Sequence, residues 1–363
     1  MYNLATAEYT EAQIRTMLTK DREVWYEYDL LDKSDIPIGQ ISATGNIDYN
    51  ATARIQRTAQ LELVETRDIN FASDKIKPSM CLKTPTGTEK FPLGVFFMSS
   101  PTREAITGTV RRSVECYDMT LQIVDDKFTS RFKVSAGTAY TAAVQSILSS
   151  AGIIDAIIST SDKELQSDIE FPMGMAKIDA INQLLKAINY NNIYANQNGK
   201  LVCEPYENPL TRPAQASYST DSNSIIFAGI REELDIFNVP NKVVRYLETA
   251  DRGTLISEVT NTDPSSILST VSRGRTIVDI QNVSDIADQT TLDNYTQRVM
   301  DDFKVYQRII VDTAAMPNHG NLDCLYFIDK ELDISGKYIE EAWKINLELG
   351  GHMQHTARKV LSM

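Results

Sequence analysis

Apolar and polar residues alternate with a period of two through much of the first 125 residues. The alternation covers residues 24–30, 41–48 and 54–63, and shorter patterns at residues 93–99 and 113–123 predict two further strands. Successive side chains of a strand point to opposite faces, so each segment has one apolar and one polar face. Several antiparallel strands that each bury one face are typical of a β-barrel or a β-sandwich.

Helical patterns occur at four places. Thr10 and Gln13 have the spacing of a capping box and predict a short N-terminal helix. A second helix is expected to begin at Thr138, a third covers residues 178–188, and a fourth lies near residues 288–305. The change to helical spacing near residue 135 indicates that a different kind of unit begins there.

The other segments after residue 190 predict strands. Asn198-Gly199 suits the tight turn of a hairpin, and the polar, proline-bearing stretch at residues 205–223 predicts a linker or a long crossing loop. Further strands are predicted at residues 243–244, 275–283 and 338–349. The last of these has an unbroken alternation that assigns Ile339 and Trp343 to the apolar face and Glu340 to the polar face.

Some features of the first part of the chain recur near its end. Cys81 and Cys324 are each followed by a leucine, and Gly94 and Gly336 follow these cysteines by 13 and 12 residues. A basic segment then follows each glycine, at residues 109–112 and 356–359. This order predicts two related β domains separated by an inserted α+β unit.

Charge and hydropathy exclude some classes of function. Acidic residues outnumber basic ones by 49 to 36, which gives a net charge of −13 and disfavours binding to nucleic acid or to anionic membranes through charge. The sequence has no apolar run of membrane-spanning length and no N-terminal secretory pattern. Its four cysteines lie at least 35 residues apart and are expected to be reduced and buried.

No motif concentrates chemically active residues. The sequence has no glycine-rich phosphate loop, no GxSxG nucleophile elbow and no HExxH pair. His352 and His355 form an HxxH pair that His319 could join, but residues three apart on a strand face opposite sides. We therefore assign no catalytic, cofactor-binding or metal-ligating residue, expect no cofactor, and predict that the chain is not an enzyme.

Three other groups are assigned to the ordinary surface or core. Trp25, Tyr26 and Tyr28 could stack on a sugar, but their spacing favours a cross-strand or core position. Arg111-Arg112 could contact an anion, but a salt-bridged strand end is the expected outcome. Neighbouring carboxylates cannot face each other across a cleft as a glycosidase requires. They are expected on solvated turns and helices, at Asp125-Asp126, Glu232-Glu233, Asp301-Asp302 and Glu340-Glu341.

Four segments together resemble a known family. They are DIPIGQISATGNIDYNATARIQRTAQLEL (35–63), EKFPLGVFFMSSPTRE (89–104), SVECYDMTLQIVDDKF (113–128) and LLKAINYNNIYANQNGKLVCEPY (184–206), which leads to REELDIFNVPNKVVRY (231–246). In their order and spacing they are similar to the central hub proteins of bacteriophage tails and of phage-tail-like bacteriocins. The resemblance spans most of residues 20–250 and includes no catalytic signature.

The resemblance implies an α+β fold that is mainly β, with two β-barrel-like tube domains and an inserted α+β domain. The expected first tube domain is residues 1–128, with the short N-terminal helix. The inserted domain is residues 129–220, and the second tube domain is residues 221–363, with one helix near residues 288–305.

The resemblance also implies a function. Three copies would form a homotrimer whose six tube domains make a pseudo-sixfold ring between the hexameric tail tube and the tail tip. The implied partners are the tail tube or a distal tail protein, a tip, spike or fibre protein, and the tape-measure protein. DNA would pass through an acidic lumen without specific binding, and no membrane insertion is expected. The protein would be made in the bacterial cytoplasm and reside in the virion tail or a phage-tail-like particle.

Two alternatives remain open at this point. The chain could be a host-receptor or carbohydrate-binding module of the tail tip, in which exposed aromatics such as Trp25 or Trp343 would contact the ligand. It could instead be a cell-wall hydrolase whose carboxylates converge only in the folded chain. Because 14 residues follow Leu349, no appended lytic or carbohydrate-binding domain is expected.

Overall fold

The first part of the chain folds into a closed β-barrel. A computed structural model describes residues 1–106, 108–221, 224–227, 229–234, 236–249, 253–283, 286–304 and 307–360. The first elements are α1 (Glu11–Leu18), β1 (Val24–Leu31), β2 (Pro37–Asn50), β3 (Arg57–Val64), β4 (Lys75–Thr84), β5 (Gly87–Pro92), β6 (Phe96–Met98), β7 (Thr102–Ile106) and β8 (Thr109–Asp118). Six strands pair in the order β1-β4-β6-β8-β3-β2, and β2 pairs back on β1. All these pairings are antiparallel, as the alternation predicts.

Helix α1 packs against this barrel. The predicted capping box is present, because the Thr10 side chain accepts a hydrogen bond from the Gln13 backbone and the Gln13 side chain accepts one from the Thr10 backbone. The apolar stripe of α1 places Ile14 and Leu18 in the same core cluster as the inward-facing barrel residues. The strands of the first β unit and the capped helix α1 therefore share one hydrophobic core.

The middle part is a compact α+β unit. Its elements are α2 (Leu121–Asp125), β9 (Phe132–Val134), α3 (Tyr140–Ser150), β10 (Ile157–Ile158), β11 (Ile169–Phe171), α4 (Lys177–Lys186), β12 (Tyr194–Ala195) and β13 (Leu201–Cys203). Helices α3 and α4 pack together, and the predicted hairpin is present as β12 and β13. Gly199 in its turn has φ +77°, a conformation that favours glycine. The expected cap at Thr138 is wrong, because Ala139 is the N-cap of α3 and makes no side-chain bond there.

The predicted strand at residues 113–123 ends earlier than its pattern indicates. Strand β8 stops at Asp118, and helix α2 follows from Leu121. The Asp118 carboxylate accepts a hydrogen bond from the Thr120 backbone at 2.8 Å, which turns the chain away from the sheet. Ile123 consequently lies in the core of the middle unit instead of the barrel.

The last part contains a second β unit and a small separate sheet. Its elements are β14 (Ala216–Ser219), β15 (Arg231–Leu234), β16 (Lys242–Thr249), β17 (Gly253–Thr260), α5 (Thr270–Arg273), β18 (Val278–Asn282), α6 (Gln289–Lys304), β19 (Gln307–Ala314), β20 (Cys324–Asp329), β21 (Ile334–Asn346) and β22 (His352–Lys359). Six strands pair in the order β14-β20-β21-β22-β19-β15. The strands predicted near residues 243–244 and 275–283 form the separate sheet β17-β16-β18, against which α6 packs.

The two β units have the same strand order. Counted along the chain within each unit, the order across the sheet is first, fourth, fifth, sixth, third, second in both. Cys81 and Cys324 lie on the two fourth strands, and the echoed basic segments lie on the two sixth strands. Two pairings differ: β14 runs parallel to β20 whereas β1 runs antiparallel to β4, and in the described residues no β14–β15 pairing corresponds to the β1–β2 pairing that closes the barrel. The repeat seen in the sequence therefore corresponds to a repeated strand order.

Strand β21 joins the two β units into one sheet. Its residues 334–339 pair with β20, and its residues 342–346 pair with residues 46–50 of β2. Accordingly, Tyr338 belongs to the core of the second unit and Trp343 to the core of the first. One strand thus contributes side chains to both cores, which couples the two units mechanically.

A β-bulge separates the two halves of β21. The register with β22 shifts between Glu340 and Ala342, so Glu341 is the extra residue. An extra residue reverses the face on which the following side chains lie. The unbroken alternation expected from the sequence is therefore wrong: Ile339 and Trp343 lie on opposite faces, and Glu340 is buried.

Candidate assembly surface

A continuous polar surface crosses both β units. It consists of the outward-facing residues of six neighbouring strands, β8, β3, β2, β21, β22 and β19, whose registers place them on one face. We name it the polar sheet face. Its polar members are Ser42, Thr44, Asn46, Asp48, Thr58, Gln60, Glu62, Arg111, Ser113, Glu115, Tyr117, Arg308, Asp312, Lys344, Asn346, His352, Gln354, Thr356 and Arg358. All are exposed or half-buried, and Val64, Ile310 and Ile339 are the larger apolar residues among them.

The charges on the polar sheet face are balanced. Its four carboxylates and four cations belong to Asp48, Glu62, Glu115, Asp312, Arg111, Arg308, Lys344 and Arg358. Lys344 Nζ lies 3.5 Å from Asp48 Oδ1, and Arg111 Nη1 lies 3.3 Å from Glu62 Oε2. Arg308 and Arg358 both contact the bulge residue Glu341. Each cation of this face therefore already has a carboxylate partner.

A stack of aromatic rings lies beneath this face at the junction of β2 and β21. The rings of Tyr49 and Trp343 are 5.3 Å apart and nearly parallel, and the Arg57 guanidinium lies 5.3 Å from the Trp343 ring. Arg57 also donates to the Leu93 carbonyl oxygen at 2.8 Å, while its backbone donates to Asp118 at 2.9 Å. Burial lowers the pKa of Arg57 and raises the pKa of Asp118. This packing fixes the angle between the two β units.

A cavity of about 1040 Å³ lies where the three parts of the chain meet. Arg57, Glu204 and Glu341 line it from the first, middle and last parts. On its wall, burial raises the pKa of the half-buried Glu204, whereas Asp302 is exposed. The cavity is the place where the carboxylates of a hydrolase would converge, although Glu204 already accepts a hydrogen bond from Tyr194 at 3.1 Å.

The three histidines do not lie together as an HxxH motif would require. His352 is exposed on the polar sheet face, whereas His319 and His355 are buried in the second β unit and meet at Glu340. Their Nδ1 atoms lie 2.6 and 2.5 Å from the two Glu340 carboxylate oxygens. Burial alone would raise the pKa of Glu340, but the charge and hydrogen bonds of both imidazoles outweigh the effect of burial and lower this pKa. For His355, burial lowers the pKa.

Sequence reasoning missed this cluster because it placed Glu340 on the outward face. The bulge that turns Glu340 inward has a faint signal in the sequence, since Glu340-Glu341 is a charged pair in the middle of an apolar strand. His319 comes from the loop between β19 and β20, at a sequence distance that no local pattern spans.

The other residues considered from the sequence occupy mostly structural positions. Trp343 is buried, Trp25 is half-buried, and the Trp25 indole donates to Glu27 at 3.0 Å. Tyr28 is in the barrel core. The salt-bridged strand end at Arg111-Arg112 is confirmed, since Arg112 lies 2.8 Å from Glu65. All four cysteines are buried and free, as expected. Within the described ranges, no helix is long and apolar enough to cross a bilayer.

Comparison with solved structures identifies the fold. The sequence matches no protein-family model and no curated protein. The structure is similar to a tail protein of Neisseria meningitidis, with 14% identity, a TM-score of 0.66, and coverage of 92% of this chain and 97% of that one. It is also similar to the 43 kDa tail protein of prophage MuSo2 from Shewanella oneidensis, with 13% identity, a TM-score of 0.62, and 92% and 98% coverage. A prophage tail protein of Listeria monocytogenes matches with 11% identity, a TM-score of 0.57, and 93% and 95% coverage. The chain therefore has the fold of phage tail proteins, mainly β with a smaller α+β part.

Proposed function

We propose that this protein is a structural hub of a phage tail or phage-tail-like particle, in which three chains form a ring that joins the tail tube to the tail tip. The observation that carries the proposal is the strand order shared by the two β units. Three chains with two such units each place six similar units around one axis, so the ring matches a hexameric tube on one side and a threefold tip on the other. The fold similarity to phage tail proteins supports the same role.

The ring requires contacts between chains, and the second β unit offers a place for them. In the described residues, β15 pairs with β19 on one side only, which leaves an edge strand. Leu234, Ile236 and Phe237 at the end of this strand are exposed, and Phe237 has 70% of its surface accessible. Edge strands flanked by exposed apolar residues are normally covered by a partner. We propose that the next chain of the ring covers this edge.

The polar sheet face would line the channel of the ring. It extends across six strands and carries few apolar residues, as a surface in contact with water requires. Because its cations are paired with carboxylates, it offers DNA phosphates no free cation to bind. DNA mobility would thus follow from balanced charge on this face, not from the acidic lumen expected from composition.

The remaining assignments follow from this role. We propose three units, residues 1–128, 129–220 and 221–363, with exceptions at the boundaries, since α2 packs in the core of the middle unit and β14 in the core of the second β unit. Three hydrophobic clusters centred on the barrel, the α+β part and the second β unit support this division, and the barrel cluster also takes in residues of β21 and β22. The proposed partners are two further copies of this chain in a homotrimer, the tail tube or distal tail protein, a tip, spike or fibre protein, and the tape-measure protein. The protein would reside in the virion tail without membrane insertion, and would act through interfaces without enzymatic activity.

The mass of the purified chain tests this proposal. We expect a trimer of about 122 kDa, three times the 40.7 kDa of one chain, in sedimentation at concentrations of tens of micromolar. Phe237→Asp should convert it to monomer, because a charge would be buried against the neighbouring chain. Leu349→Asp is the matched control: Leu349 is 79% exposed at the β21–β22 connection, away from β15, and the trimer should persist. A monomer for the unsubstituted chain at all concentrations, or equal effects of both substitutions, would contradict the proposal.

A cell-wall hydrolase is the second candidate, favoured by the interdomain cavity. The carboxyl groups of Glu204 and Asp302 line it, and the raised pKa of Glu204 is a property of catalytic acids. Release of soluble fragments from purified peptidoglycan, abolished by Glu204→Gln but not by the control Glu207→Gln in the same cavity, would establish it. The sugar-binding alternative loses support at Trp343, which is buried in the junction.

A further inference from the structure

We propose that His319, Glu340 and His355 bind one divalent transition-metal ion, Zn²⁺ or an ion of similar chemistry, that stabilises the second β unit. We call these residues the His–Glu–His cluster. The proposal revises the sequence analysis, which assigned no metal ligand. It is independent of the assembly role, because the cluster lies inside one chain, buried on the opposite side of β21 and β22 from the polar sheet face.

The donor atoms of the cluster converge. The Nδ1 atoms of His319 and His355 point at the two oxygens of the Glu340 carboxylate, and one donor atom from each residue lies within 4.8 Å of the others. A tetrahedral ion with ligands at about 2.0–2.1 Å holds its donor atoms roughly 3.3 Å apart. The two Nδ1–oxygen distances of 2.6 and 2.5 Å would therefore widen by less than about 1 Å, a small movement of side chains.

The far sides of both imidazoles are already held. His319 Nε2 lies 2.7 Å from the Tyr218 hydroxyl, and His355 Nε2 lies 2.7 Å from Thr313 Oγ1. A hydroxyl can accept a hydrogen bond from Nε2–H, and the Nδ1 lone pair then points into the cluster. Metal-binding histidines are generally oriented in this way by a partner on the other ring nitrogen.

Burial makes a compensating positive charge necessary. Glu340 and His355 are fully buried and His319 is 2% exposed. Among the described residues, the groups that pair with the Glu340 carboxylate are these two imidazoles. A buried carboxylate without a compensating cation is strongly unfavourable. A divalent ion supplies that charge in place of a protonated imidazole, and imidazole together with carboxylate is a donor set that suits Zn²⁺ better than Mg²⁺ or Ca²⁺.

The fourth position would be left to a water molecule, because the nearest further carboxylate, Asp323, is already engaged: its Oδ1 pairs with the N-terminal ammonium of Met1 and its Oδ2 accepts a hydrogen bond from the Gly320 backbone. Asp323 Oδ2 lies 3.9 Å from His319 Nδ1, and Asp323 is 1% exposed. Two neutral imidazoles, the Glu340 carboxylate and one water would complete a four-coordinate site around the ion. The ion would connect β21, β22 and the loop between β19 and β20, and so fix a loop that has no regular structure of its own.

Metal content and Co²⁺ absorption test the proposal. The full chain is unfolded in urea with a chelator, refolded with Zn²⁺ or Co²⁺, and freed of loose metal by gel filtration. We expect one retained ion per chain, a visible Co²⁺ spectrum of tetrahedral type, and a higher thermal unfolding midpoint than for the chelated protein. No retained ion, or an octahedral spectrum of loosely held Co²⁺, would overturn the proposal and leave a hydrogen-bonded His–Glu–His network only.

Three variants locate the ion. His355→Ala should abolish retention, whereas His352→Ala, three residues earlier and exposed, should retain one ion. Thr313→Val keeps the ligands and removes the hydroxyl on His355, so it should weaken binding by about 10–100-fold. If His355→Ala fails to fold, Thr313→Val still tests the site, because an unchanged affinity of that variant for the metal ion contradicts the proposal. Failure of these tests would leave the trimer measurement unaffected.

Discussion

The junction between the two β units yields the sharpest stability prediction, and Trp343→Ala is the perturbation. Trp343 is 5% exposed, stacks on Tyr49 at 5.3 Å and lies under the Arg57 guanidinium. Truncation of a buried tryptophan costs about 3–5 kcal/mol. Because Trp343 lies on the half of β21 that pairs with β2, the substitution should destabilise the β2–β21 pairing before the rest of the chain.

Native-state hydrogen exchange measures that loss locally. A cost of about 3–5 kcal/mol corresponds to a fall of roughly 150- to 5000-fold in the protection of the amides at residues 46–50 and 342–346. Amides of α3 in the middle unit serve as an internal reference and should keep their protection. Trp25→Ala is the matched control, because Trp25 is half-buried and lies outside the junction.

Two results would refute this reasoning. If protection at residues 46–50 changed less than tenfold in Trp343→Ala, the stack would not hold the units together. If protection of α3 fell as much as that of β2, the tryptophan would stabilise the whole chain and not the junction in particular. Far-ultraviolet circular dichroism verifies that the variant remains folded under the conditions of exchange.

Two further predictions concern the barrel. Gly45→Ala should lower the free energy of unfolding by about 1–3 kcal/mol in urea titrations. The reason is that an added Cβ would lie 1.9 Å from the Gln60 carbonyl oxygen and that Gly45 has φ +148°. An unchanged free energy of unfolding in this variant would contradict the prediction. Hydrogen bonds from Lys90 and Trp25 lower the pKa of Glu27 from 4.5 to about 2. The stability that these hydrogen bonds to Glu27 contribute is therefore present above pH 4.5 and lost as the pH falls towards 2. Glu27→Gln should lower the free energy of unfolding by about 1 kcal/mol at pH 7, after solvent screening, but not at pH 2.

Local patterns in the sequence were sufficient for most elements. The capping box of α1, the turn at Gly199 and the one-sided burial of β2 and β3 depend on residues that are close in sequence, so their physics is visible there. The duplicated strand order was also detectable, because the echoed cysteines and basic segments occupy equivalent strands.

The junction and the buried cluster could not be predicted, for a different reason. The pairing of Asp48 with Lys344 joins residues nearly 300 positions apart, and no local pattern encodes it. The bulge at Glu341 reverses the face of the residues before it relative to those after it, so a single undetected extra residue places Glu340 on the buried face of Trp343 instead of the opposite, solvent-facing side. Alternation of apolar and polar residues therefore predicts the burial of the barrel strands correctly, but it fails for β21, whose two halves pack into different cores.

Electron cryomicroscopy of the purified chain at high concentration tests the central claim most directly. The account predicts a threefold ring of six β units with a central opening, lined by the polar sheet face with Asp48 and Lys344 near its middle. A solitary molecule, or an assembly in which that face is packed against another chain, would contradict it.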